Sequence, residues 1–81
     1  MIRFGGMTMR LRELSVGETA RVTELRHWGA MGRRLRELGF LEGESVTCVG
    51  VSPLGDPHAN RICGAVIALR NCDAARVEVA P

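Results

Sequence analysis

The sequence predicts a mainly β domain: a small barrel of about five strands with one short α-helix inserted after the first strand. Three observations predict it. Short runs alternate apolar with polar residues, the period at which one face of a strand is buried and the other wet. Glycine and proline punctuate those runs at Gly17, Gly43, Pro53, Gly55, Pro57 and Gly64. One stretch alone, near residues 30–38, repeats apolar residues at helical spacing. An open sheet this small would expose long unpaired edges, so closure on itself is the expected arrangement.

Met1 to Gly6 carries no pattern, and residues 1–8 are expected to form a loose extension ahead of one domain at 9–81. Leu11 and Leu14 precede the turn-like Ser15-Val16-Gly17-Glu18. Ala20, Val22 and Leu25, set among Arg21, Thr23 and Glu24, then predict the first strand. A helix from Gly29 or Ala30 to Leu38 follows. Met31, Leu35 and Leu38 stand at i, i+4 and i+7, with Arg33, Arg34, Arg36 and Glu37 pointing outward. Gly39 fits a left-handed C-cap. Gly32, inside the helix, costs about 1 kcal/mol relative to alanine, so the helix must depend on docking against the sheet.

After the turn at Glu42-Gly43, the Val-rich run Ser45 to Val51 predicts a strand. Pro53-Leu54-Gly55-Asp56-Pro57 suits neither a helix nor a central strand. Strands at about His58 to Ile62 and Val66 to Leu69 are joined around Cys63-Gly64-Ala65. Asn71 to Ala75 suits a tight helical turn, and Val77 and Val79 make the last strand.

Composition narrows the function. With 81 residues, 46% of them hydrophobic, the chain makes one domain near the lower limit for a self-sufficient core. Phe4, Trp28 and Phe40 are its only aromatics, so the core is aliphatic and an aromatic groove for proline-rich peptides is not available. A formal charge of +2, all its basic residues arginine, is too small for a nucleic-acid footprint, and no nucleic-acid partner is expected. Cys48, Cys63 and Cys72 form no C-x-x-C pair and read as reduced thiols. No run approaches membrane-spanning length and the start lacks a signal-peptide core, so a cytoplasmic location without membrane insertion is expected. The two histidines have no nucleophile arranged beside them, and no glycine-rich loop opens a helix onto phosphate. The chain therefore reads as a non-enzyme.

Four segments in order then resemble a known family. They are Leu11-x-Glu13-Leu14-x-x-Gly17-Glu18-x-Ala20-Arg21-Val22, Arg33-Arg34-Leu35-x-Glu37-Leu38-Gly39-Phe40-x-x-Gly43, Pro53-Leu54-Gly55-Asp56-Pro57, and Gly64-x-x-Ile67-Ala68-Leu69-Arg70. Together they resemble the FeoA family of ferrous iron transport, over about residues 9–80. The resemblance implies an SH3-like barrel, a cytoplasmic location, and association with the large membrane GTPase permease that imports Fe(II). On this implication the protein is an accessory that binds and modulates the permease. The same domain stands at the C-terminus of iron- and manganese-dependent repressors. The alternative is thus a standalone transition-metal-binding or metal-sensing domain. Asn60 departs from the family pattern, which has an apolar strand residue there.

The candidate partner surface combines the helix, the nearby strand edge and the proline loop: Leu25, Trp28, Met31, Arg34, Leu54, Gly55 and Asp56. Two prolines bracketing Gly55 stiffen the loop, and a preorganised Leu54 lowers the entropy cost of entering a partner's pocket. Trp28, in a loop after the first strand, is a suitable anchor. No cofactor is required. Should Fe(II) or Zn(II) bind, the donors are His58, Asp56, Cys63, Cys48 and His27, although no spacing fixes two of them together. With a hairpin centred near Gly55, Cys48 and Cys63 are expected roughly opposite each other and His58 close to the loop. Homo-oligomerisation is a further expectation the sequence leaves open.

Overall fold

A computed structural model of the chain describes residues 9–81. The extension expected at 1–8 lies outside the described residues. Six antiparallel strands form one sheet: β1 (Met9–Arg10), β2 (Thr19–Leu25), β3 (Ser45–Val51), β4 (His58–Ile62), β5 (Ala65–Leu69) and β6 (Val77–Ala80). Their spatial order is β1-β6-β2-β3-β4-β5, with β1 and β5 at its two ends. Helix α1 (Gly29–Glu37) follows β2, and the short α2 (Asn71–Ala74) follows β5. The fold class is therefore as expected, mainly β with an inserted helix; the two-residue β1 adds a strand the alternation pattern could not register.

Alternation explains most of the burial, and bulges explain the rest. Ala20 and Val22 point inward, and a register shift between Val22 and Glu24 flips the phase so that Leu25, three residues on, also points inward. On β3, Val46 and Cys48 face the core before a second shift between Cys48 and Gly50. On β4 the buried residues are His58, Asn60 and Ile62. Asn60 thus occupies an inward position despite its amide and is completely buried. Its Nδ2 donates to the His58 carbonyl at 3.4 Å, while its Oδ1 meets no partner among the described residues.

Helix α1 docks through Leu35, which is buried, whereas Met31 and Leu38 remain 40% and 37% exposed. The helical stripe is narrower than its spacing implied. Its end is a Schellman motif: Phe40 N donates to Leu35 O at 3.0 Å, Gly39 N donates to Arg36 O at 3.1 Å, and Gly39 has φ +114°. Phe40, fully buried, packs into the core cluster with Leu35. Gly32 is present for a different reason. A Cβ there would run into the backbone carbonyl of His27, so the glycine permits the β2–α1 connection to cross the helix.

Strands β4 and β5 are joined by Cys63 and Gly64, with φ of +50° and +81°. Two positive φ values in a two-residue loop make a type I′ turn, whose twist matches that of the flanking strands. From Ile62↔Ala65 to His58↔Leu69 the register runs without a shift. No strand pairs with the outer side of β5 among the described residues, so hydrogen bonds do not seal the cylinder there.

Candidate interaction surface

The proline loop joins β3 to β4, and its conformation is held from inside. Gly55 N donates to Ser52 O at 2.7 Å, and Ser52 N donates to Pro57 O at 3.1 Å. The Gly55 carbonyl accepts from two side chains, Asn71 Nδ2 at 3.0 Å and His58 Nε2 at 3.1 Å. A carbonyl only accepts, so Nε2 carries the proton of that contact. The Asp56 carboxylate accepts from Asn71 N at 2.9 Å at the start of α2. Five hydrogen bonds thus fix a loop whose tip, Leu54, is 93% exposed. Gly55, at φ +85°, supplies the bend.

Beside the loop lies a groove of about 300 Å³ between α1 and β5. Met31, Arg34 and Leu38 form its helix wall, Ile67 and Ala68 its strand wall, and Arg70 and Asp73 its end. Loop and groove adjoin, because His58 pairs with Leu69 and Asp56 bonds Asn71, the residues on either side of Arg70. Of the candidate contacts, Met31 and Arg34 line the groove, Leu54, Gly55 and Asp56 form the loop, and Trp28, 71% exposed, stands at the helix start. Leu25 is not at the surface. It is 9% exposed and pairs with Val77 on β6, because the β2 bulge turns it into the core. Leu38 and Arg70, which line the groove, and Val66, 60% exposed on β5, are not among the residues the sequence singles out, since the packing of α1 beside the open edge of β5 has no sequence signal of its own.

Among the described residues the arginines of this region form no ion pair. Among the described residues the ion pairs are those of Arg26 with Glu78 and with Glu24. The i,i+4 pair of Arg33 with Glu37 does not form, and Arg33, Arg34, Arg36 and Arg70 are exposed.

The candidate metal donors are dispersed. Among the described residues no three of His, Cys, Asp or Glu gather where an ion could sit. The β3–β4 register sets Cys48 against Asn60, not against Cys63 as expected: Val51 pairs with His58 beside the loop, and the shift between Cys48 and Gly50 takes up a further residue of β3. Cys48 is fully buried. Cys63 lies exposed in the β4–β5 turn with its Sγ 3.5 Å from Glu44 Oε1. Desolvation first, and the Glu44 carboxylate second, push its thiol pKa up, which disfavours the thiolate a metal needs. His27, also buried, donates from Nε2 to the Asp73 carbonyl at 2.8 Å and ties the start of α1 to α2. His58 does lie close to the loop, through its contact with Gly55.

A model of the FeoA domain matches residues 9–81. The chain belongs to the FeoA family. This FeoA domain is 39% identical over 71 residues to an Fe(2+) transport protein A/Fe(2+) transporter FeoB fusion protein of Porphyromonas gingivalis. The match covers 88% of the chain but 8% of that fusion's length. Iron(II) transport protein A from Clostridium thermocellum superposes with a TM-score of 0.84 at 38% identity, over 89% of this chain and 44% of that one. The crystal structure of Stenotrophomonas maltophilia FeoA complexed with zinc, an SH3 domain protein, gives a TM-score of 0.78 at 39% identity, over 88% of both chains. The SH3-like architecture expected from the sequence is thus shown, and the first two of these relatives are by name proteins of ferrous iron transport. No helix among the described residues is long and apolar enough to cross a membrane.

Proposed function

We propose that this FeoA domain is a non-enzymatic accessory of ferrous iron uptake, docking from the cytoplasm on the membrane Fe(II) transporter and modulating it. The observation that carries the reading is the rigid Leu54 loop standing next to an apolar groove flanked by unpaired arginines. A side chain that is 93% exposed yet held by a fixed backbone pays little ordering entropy on binding. The fusion of the related domain to a ferrous iron transporter in P. gingivalis supports the choice of partner. In this reading Fe(II) is the transporter's cargo, and the domain contributes contacts and no chemistry on the ion.

A pull-down on the solubilised transporter tests the surface. Leu54→Asp and Trp28→Ala are expected to reduce capture together while leaving the folded domain intact. Undiminished capture by the double variant rejects this face.

A further inference from the structure

We propose that docking occurs by strand addition: an extended acidic segment of the partner pairs with the outer edge of β5, with alternate side chains entering the α1–β5 groove. The identity of the partner rests on the docking reading above; the edge itself does not.

The turn chemistry fixes which groups are offered. A two-residue type I′ loop makes its flanking pair, Ile62 and Ala65, a hydrogen-bonded pair. Alternation along the antiparallel ladder then makes Asn60–Ile67 and His58–Leu69 hydrogen-bonded as well. The backbone groups of Val66 and Ala68 must therefore point away from β4, toward the open side. No backbone or side-chain hydrogen bond among the described residues reaches them there.

Natural sheets blunt such an edge with lysine, proline, an inward charge or a bulge. The sequence Ala65-Val66-Ile67-Ala68-Leu69 has no charge and no proline, and its register is uninterrupted. Val66 is 60% exposed on the edge. An undefended edge beside a groove of about 300 Å³ is what peptide addition uses: main-chain bonds supply affinity and pockets read alternate side chains.

Charge selects the occupant. Arg34 and Arg70 flank the groove without an ion pair, against one carboxylate, Asp73. Acidic residues on the incoming segment would meet both guanidiniums. A second copy of this chain fits less well, because two-fold pairing of β5 with β5 brings both arginines of each copy to one seam.

The test is an NMR titration of the labelled chain with a short capped peptide in which glutamate alternates with valine, and with its lysine counterpart. The acidic peptide is expected to shift the Val66 and Ala68 amides and slow their exchange, and the basic peptide to do neither. Val66→Pro removes an outward N–H while leaving the β4 ladder whole, and is expected to weaken binding about tenfold. Ala68→Pro serves the same purpose where Val66→Pro does not fold, and exchange on the wild-type chain needs no variant at all. Shifts that avoid β5, equal binding of both peptides, no shift at saturating peptide, or undiminished binding by a folded proline variant overturn the proposal. Slowed exchange that depends on protein concentration without peptide assigns the edge to a second copy and overturns it too. A transporter that captures wild type and Val66→Pro equally rejects strand addition and leaves docking standing. A transporter that captures neither rejects docking, and the peptide titration decides the edge alone.

Discussion

The backbone amide of Asn71 donates to the carboxylate of Asp56 at 2.9 Å, so the first residue of α2 holds the base of the loop that carries Leu54. A hydrogen bond to a charged acceptor contributes about 1.5–3 kcal/mol, less where it is open to water as here. Asp56→Ala is expected to lower stability by about 1 kcal/mol and to speed amide exchange at Asn71 while leaving exchange in β2 and β6 unchanged. Exchange rates measured residue by residue check this; unchanged protection at Asn71 contradicts it.

Gly32→Ala should destabilise the domain although alanine is the better helix former. Propensity favours alanine by about 1 kcal/mol, but the new methyl meets the fixed backbone carbonyl of His27, and overpacking costs about 1–3 kcal/mol. Urea denaturation is expected to show a lower midpoint. A raised midpoint would mean that the β2–α1 connection yields easily.

Asn60→Leu should stabilise the domain. The side chains are close in shape, the position is fully buried, and the Oδ1 has no partner among the described residues, so the amide's desolvation is poorly compensated. A gain of about 1 kcal/mol in chemical denaturation is expected. A loss would show that the contact with the His58 carbonyl matters more than the burial.

Cys63 should alkylate late on a pH scale. Its pKa is raised, so the reactive thiolate appears only at higher pH than for a free cysteine, and removing the neighbouring carboxylate moves the onset down. In a Cys72→Ser background, iodoacetamide kinetics against pH are expected to show this order, with Glu44→Gln reacting at lower pH than the parent. A Cys63 that reacts at or below the pH of a free thiol refutes the assignment.

How much of this was legible in the sequence follows from which interactions are local. Turns at Gly43 and Gly55 and the Gly39 cap are local, since backbone geometry alone demands them, and the elements between them could be read directly. Bulges are not local. The shifts at Val22/Glu24 and Cys48/Gly50 depend on the partner strand, so the burial of Leu25 and the Cys48–Asn60 pairing were misjudged. Gly32 was read as a propensity cost because a close approach by a distant backbone leaves no mark in periodicity. The loop of the candidate site was visible in its prolines. The groove beside it was not, since Met31 and Leu38 look like core residues until the helix rotation is known.

The central claim, that the loop and groove are where this domain meets its partner, is tested most directly by one titration. The labelled chain is mixed with the cytoplasmic part of the Fe(II) transporter, and amide and methyl shifts are followed. The account predicts changes confined to residues 53–57, 65–71 and the exposed face of α1, centred on the Leu54 methyls. Shifts gathered instead on the opposite side of the sheet, around β1 and β6, would contradict it.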